Sequence, residues 1–246
     1  MKSWSSSGKG EISSYIITTS ILIKMTPTIN LVFPVQGDVL WADNNYRLYA
    51  TLCRVCPQLH DLQGLAINTI SGMPDRQGKI ILTPYSRLYL RLPVSSIALV
   101  YSLAGQKLNI DGYEITLGNP ELQTIQPCYS LKARLVTIKG YTEPMEFLQA
   151  CQRQLQQLEI QANIGIPANE KGEPKRLTMK INKPNRSYTI VGFSVVVSDL
   201  SEEDSIKLQI HGLGGKRRLG CGVFYPNIRV KKGYQEVQKN VAETLS

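Results

Sequence analysis

The sequence predicts an α+β chain built as two successive β-α-β-β-α-β units, each a ferredoxin-like domain. Three observations carry that expectation. Strand-like and helix-like apolar patterns follow one order before Pro120 and the same order again after Pro127. Asp111-Gly112, the strongest turn signal in the chain, lies between two alternating runs, as a hairpin requires. The length of 246 residues is enough for two small domains that each bury a core. The expected units cover residues 25–122 and 127–227, flanked by an extension over 1–24 and a basic tail over 228–246.

In the first unit, residues 29–35 read as a strand. Asp43 caps a helix with an apolar stripe at Leu48, Leu52 and Val55, spaced i, i+4 and i+7, and Pro57 ends it. Strands follow over 64–70 and over 79–83 or 87–92. A short helix over 97–103 stops at Gly105, and the hairpin pairs 107–110 with 113–117. In the second unit a strand covers 131–138. Thr142 caps a helix with Pro144 in its first turn and a stripe of Leu148, Cys151, Leu155 and Leu158. Strands over 176–181 and 187–197 follow, the latter closing on Val195, Val196 and Val197. Ser201 and Asp204 open a capping-box-like helix through Ile210, and a strand over 219–225 completes the unit.

The bulk numbers narrow the function. With 42% hydrophobic and 19% charged residues, the chain is an ordinary globular one, and its net charge of +9 favours a polyanion: RNA, DNA or an acidic membrane surface. The apolar run over 15–23 is too short to span a bilayer, and no small-x-small cleavage motif follows it. Five cysteines, an odd number, imply a reducing cytoplasm rather than a disulfide framework. Cys53 and Cys56 form a CxxC with no second pair, and the chain has two histidines, so no metal site is expected. The two cysteines are expected to pack on one helix face.

The densest motif is His211-Gly-Leu-Gly-Gly-Lys-Arg-Arg-Leu-Gly-Cys-Gly-Val-Phe-Tyr225. Gly212, Gly214, Gly215, Gly220 and Gly222 frame three consecutive cations, Lys216, Arg217 and Arg218. Such a flexible, glycine-framed cationic loop suits a phosphate chain. It is not a P-loop, because Gly215-Lys216 is followed by Arg217. It is not a dinucleotide fingerprint either, because no βαβ unit can follow it. No nucleotide cofactor is expected. A second basic stretch carries Lys171, Lys175, Arg176, Lys180, Lys183 and Arg186 between prolines; it is either a solvated loop or a hairpin lying along a nucleic-acid backbone. Arg229, Lys231, Lys232 and Lys239 make the tail basic.

Aromatic signatures of single-strand RNA-binding sheets, serine elbows and metalloprotease helices are all missing from the sequence. The two histidines remain. His60 leaves the first helix and His211 opens the glycine loop. An imidazole near a phosphate can take the 2′-OH proton of a ribose and turn that oxygen into a nucleophile, with nearby cations stabilising the phosphorane.

The glycine loop from Gly212 to Phe224 resembles the C-terminal signature of the CRISPR repeat-processing endoribonucleases, the Cas6 family, and most of all its myxan subgroup. Tyr46-Arg-Leu-Tyr-Ala-Thr-Leu-Cys-Arg-Val-Cys-Pro-Gln-Leu-His60 is similar to that subgroup's first helix and catalytic-histidine segment. Leu135-Val-Thr-Ile-Lys-Gly140 and Gly192-Phe-Ser-Val195 resemble its second-half strands. The resemblance implies two tandem ferredoxin-like domains of RAMP type. It implies metal-independent cleavage of a CRISPR repeat RNA stem-loop to a 2′,3′-cyclic phosphate and a 5′-hydroxyl. His60 takes the catalytic role, with His211 as the weaker alternative, and the five glycines with Lys216, Arg217 and Arg218 face the RNA, joined by Lys175 and Arg176. Tyr46, Tyr49 and His211 are candidates for a second catalytic group. Other Cas subunits of an effector complex are the expected protein partners. The rival reading is an inactive RNA-holding scaffold of the same superfamily, and a third is a basic RNA-binding protein unrelated to CRISPR.

Overall fold

A computed structural model describes residues 27–75, 77–183 and 186–227. The expected extension over 1–24 and the basic tail over 228–246 lie outside the described residues. The first half runs β1 (Thr28–Gln36), β2 (Val39–Trp41), α1 (Asn45–Val55), β3 (Ala66–Asn68), β4 (Met73–Pro74), β5 (Lys79–Ile81), β6 (Arg87–Pro93), α2 (Ile97–Tyr101), β7 (Lys107–Ile110), β8 (Tyr113–Leu117) and β9 (Glu121–Thr124). The second runs β10 (Leu131–Val136), α3 (Pro144–Gln157), β11 (Asn163–Gly165), β12 (Arg176–Lys183), β13 (Arg186–Ser198), α4 (Glu202–His211) and β14 (Tyr225–Pro226).

The duplicated topology is present. In the first sheet β1 lies between β6 and the β8/β9 side, with β3 outside β6; in the second, β10 lies between β13 and β14, with β11 outside β13. Both halves therefore set the strand order 2-3-1-4, the order of the ferredoxin-like unit. Register follows the apolar pattern: Leu31 faces Leu90 and Phe33 faces Leu88, all buried. α1 packs on this sheet through Leu48 and Leu52. The expected stripe residue Val55 is exposed instead, and Cys56 takes the inward position as the chain turns into Pro57. The second core gathers Phe147, Phe193, Val195 and Val197.

Several elements differ from expectation, each for a local reason. Both 79–83 and 87–92 hold strands, but β6 enters the main sheet while β5 joins β2 and β4 in a separate small one. The Pro120–Pro127 separator contains β9, an extra edge strand on β1. In the second half the outer sheet position belongs to β11, not to the expected strand at 176–181. β12 is instead half of a long hairpin, because β13 runs 13 residues, pairing β12 with its first part and β11 with its last. Ser201 caps α4 by accepting the Asp204 N–H at 3.0 Å, as expected. Asp43 does not cap α1; Asn44 holds that position, and Asp43 accepts the Lys180 N–H from the other half at 3.1 Å.

The halves meet along a polar seam. Arg91 of β6, only 4% exposed, donates to the Gln209 carbonyl at 2.6 Å, the Phe224 carbonyl at 3.0 Å and the Asn30 Oδ1 at 2.9 Å. A small apolar cluster crosses the same seam, with Tyr46 and Leu219 packed on Leu135, Ile181 and Cys221.

Candidate active site and nucleic-acid cleft

The glycine loop is held on three sides. The Gly215 N–H donates to the Thr137 carbonyl at 3.0 Å and the Gly222 N–H to the Leu135 carbonyl at 2.8 Å, which lays the loop along β10. The Gly214 N–H donates to Gln154 Oε1 of α3 at 2.7 Å. From α1, Asn45 Nδ2 donates to the Leu219 carbonyl at 2.6 Å while its Oδ1 accepts from Arg134 at 3.3 Å. At Gly222, where φ is 66°, a Cβ would overlap the Leu213 carbonyl oxygen, so only glycine fits. The Gly212 and Gly220 N–H groups are also bonded, to the Leu208 and Arg217 carbonyls. The loop, expected to be flexible, is anchored, and all five glycine N–H groups are bonded within the protein. The expected strand over 219–225 is reduced to β14 at its far end, preceded by a 3-10 turn, Arg217–Leu219, and irregular chain in which Gly220 and Gly222 both take positive φ.

The three cations go to different places. Lys216 is exposed. Arg218 crosses to the first half, donating from Nη1 to the His60 carbonyl and from Nη2 to the Leu62 carbonyl at 3.0 Å. Arg217 folds inward, and its Nε and Nη2 are buried without a hydrogen-bond partner among the described residues. Burial lowers its pKa to about 10. Arg91 falls to about 10 as well, through burial and then the nearby Arg217. The seam beneath the loop is thus cation-rich.

His60 ends a 3-10 turn, Pro57–His60, in which Pro57 sets the first φ and Leu59 is fully buried. With Leu59 as the anchor, the next side chain projects outward: the His60 imidazole is 71% exposed. Its Nδ1 lies 3.1 Å from Asp61 Oδ1. A carboxylate oxygen accepts, so in a neutral imidazole this contact selects the tautomer with the proton on Nδ1 and the lone pair on Nε2. Asp61 was missed by sequence reasoning, although its place directly after His60 was the signal. His211 is the last residue of α4, also exposed; burial first, then Arg217 and Lys207, hold its pKa below the usual imidazole value.

Between α1, the loop and the β12–β13 hairpin runs a cleft. One pocket of about 430 Å³ is lined by Tyr46, Tyr49 and the three loop cations. Tyr46 also borders a second, of about 320 Å³, lined by Arg47, Arg54 and Lys180. Lys175 and Arg176 are exposed but line neither; Lys180, further along the same strand, does. Cys53 and Cys56 pack toward the first core, and among the described residues no group of His, Cys, Asp and Glu gathers at metal-binding distance. Among the described residues no helix is long and apolar enough to cross a membrane.

These features define a class: a basic protein of two ferredoxin-like halves, with a glycine loop from the second gripping the turn that bears an exposed imidazole in the first. The family described as Cas6 Crispr matches residues 29–229. A curated relative, the CRISPR-associated endonuclease Cas6 of Myxococcus xanthus, is 31% identical over 198 residues, covering 80% of this chain and 81% of its own. The fold is similar to that of a solved CRISPR associated protein Cas6 (TM-score 0.55, 10% identity, 80% of this chain and 98% of that one). It is also similar to that of a RAMP protein described as binding different RNA substrates (TM-score 0.51, 13% identity, 80% and 98%). The chain belongs to the Cas6 family of CRISPR-associated endonucleases.

Proposed function

We propose that the protein cleaves CRISPR repeat RNA without a metal, using His60 as the general base. The observation that carries the reading is the Arg218 bridge: the cationic loop holds the very turn from which the exposed imidazole projects. His60 Nε2 accepts the proton of a ribose 2′-OH, the freed oxygen attacks the adjacent phosphorus, and the P–O5′ bond breaks. The products are a 2′,3′-cyclic phosphate and a 5′-hydroxyl, whose oxygen takes up a proton as it leaves. Lys216 and Arg217 stabilise the charge of the phosphorane. Tyr46 and Tyr49 line the cleft and are candidates for the group that protonates the leaving oxygen. The protein stays on its product as a subunit of an effector complex, in a reducing cytoplasm that suits its five unpaired cysteines.

The test is cleavage of hairpin repeat RNA in EDTA. His60→Ala should lower kcat by roughly 10²–10⁴-fold with RNA affinity retained. A 2′-deoxy nucleotide at the cut should abolish the reaction. Cutting of the deoxy substrate, or undiminished cutting by His60→Ala, would sink the assignment, and no cutting by the wild-type protein would leave the inactive-scaffold reading.

A further inference from the structure

The 430 Å³ pocket contains more than proton-transfer chemistry requires. Its volume lies within the range of about 300–1,000 Å³ typical of sites that take a small organic group. Three tyrosines border it: Tyr46 and Tyr49, i and i+3 on α1, and Tyr188, on β13 in the other half. Leu65, Ile181 and Leu219 supply aliphatic wall. Among the described residues no carboxylate lines it, while Lys216, Arg217 and Arg218 do.

Each feature restricts the occupant. Consecutive cations without a counter-charge call for an anion, and the buried Arg217 Nε and Nη2 are donors with no acceptor among the described residues. A bare phosphate would leave the tyrosines and aliphatic wall unused. A flat apolar body joined to an anion is a nucleotide. Bases in a duplex are stacked against their neighbours and cannot enter such a pocket, so the nucleotide is unpaired. Its place along the strand also follows. Gly64 and Leu65 line the pocket just beyond His60, and Arg218 both lines it and donates to the His60 carbonyl. The pocket therefore adjoins the turn that bears the imidazole.

We infer that this pocket receives the base of one unpaired nucleotide flanking the scissile phosphate, with Tyr188 as a stacking wall and Arg217 on that nucleotide's phosphate. The inference rests on the endoribonuclease reading and adds to it a determinant of where the strand is cut. Tyr188 stands opposite Ile181 in the β12–β13 register and is 37% exposed, so it can be truncated without opening a core.

The experiment maps the cut in hairpin RNA, then replaces each nucleotide within two of it by an abasic ribonucleotide, which keeps the phosphate and the 2′-OH. One abasic position should lower kcat/KM of the wild-type protein by roughly 5- to 150-fold, the range for a lost base–aromatic stack. Tyr188→Ala should lose a similar factor on intact RNA and nothing further on that abasic RNA, while Tyr188→Phe should keep the wild-type rate. Abasic RNAs all cut at the intact rate, or losses that multiply in combination, would overturn the pocket and leave the nuclease standing. If the wild-type protein cuts no RNA, the same series is read by affinity along the whole strand. A base-dependent loss absent from Tyr188→Ala would then keep the pocket while the nuclease reading fails, and unchanged affinity would end both.

Discussion

The two halves share one strand order and diverge at two points: the turn after the first helix and the approach to the fourth strand. In the first half the turn after α1 holds an exposed histidine; in the second, the turn after α3 holds Glu159 and Ile160, with Ile160 buried in the core. In the first half the fourth position is filled by regular strands β8 and β9; in the second, β14 is two residues long, and the glycine loop precedes it along β10. Each half thus sacrifices regularity once, and the two irregular pieces touch through Arg218. The histidines repeat the contrast. His60 has a carboxylate at Nδ1, which orients the ring, whereas His211 is partly buried and faces Arg217 and Lys207, all of which oppose a positive charge. The repeat supplies the scaffold, and the chemistry arises where the two copies stop being alike.

That asymmetry can be broken at the loop. Gly222→Ala should unfold or displace the loop at a cost above about 2 kcal/mol, since the Cβ meets a backbone oxygen at positive φ. Gly215→Ala, with open space around it and no positive φ, should stay within about 0.5 kcal/mol. Thermal melts compare the two, and equal shifts would contradict the packing role assigned to Gly222.

The next effect separates the cations. Arg218→Ala releases the His60 turn and should cost about tenfold or more in kcat with little change in affinity, because a base held loosely loses its near-attack geometry. Lys216→Ala should lower affinity as well as kcat, and make the slope of log affinity against log salt shallower by about 0.7–0.9. Single-turnover rates and salt titrations distinguish these outcomes; a large salt-slope change in Arg218→Ala would return that residue to the phosphate contacts.

The smallest effect sharpens the comparison of the histidines. His211 has a folded pKa below its unfolded value, so as pH falls through about 6.5 the unfolded chain binds the proton first. Stability should therefore drop from there to the depressed folded pKa and then level off, with no contribution above neutral pH. His211→Gln should flatten that part of the profile in denaturant titrations at stepped pH, and an unchanged profile would show that neither its burial nor its cationic neighbours depress it.

Much of this was legible in the residues. The Asp111-Gly112 hairpin, the Leu48 and Leu52 stripe, the Ser201 cap and the duplicated order depend on local periodicity and turn chemistry, which neighbouring residues dictate. His60 and the glycine loop stood out because their residue types are sparse or dense against the rest of the chain. The fates of individual side chains were not legible. Arg91 sits in a strand pattern that allows a solvent-facing cation, yet the other half buries it. Lys180, not Lys175 or Arg176, reaches the cleft because hairpin register selects it. By itself the sequence determined the elements, their doubled order, the basic charge and the two histidines, since these follow from interactions over a few residues. Only the tertiary structure decided that the glycine loop is tied to Thr137 and Leu135, that Arg218 grips the His60 turn and that Arg217 turns inward beside Arg91, because each depends on partners from about 75 to 160 positions away that no local pattern encodes.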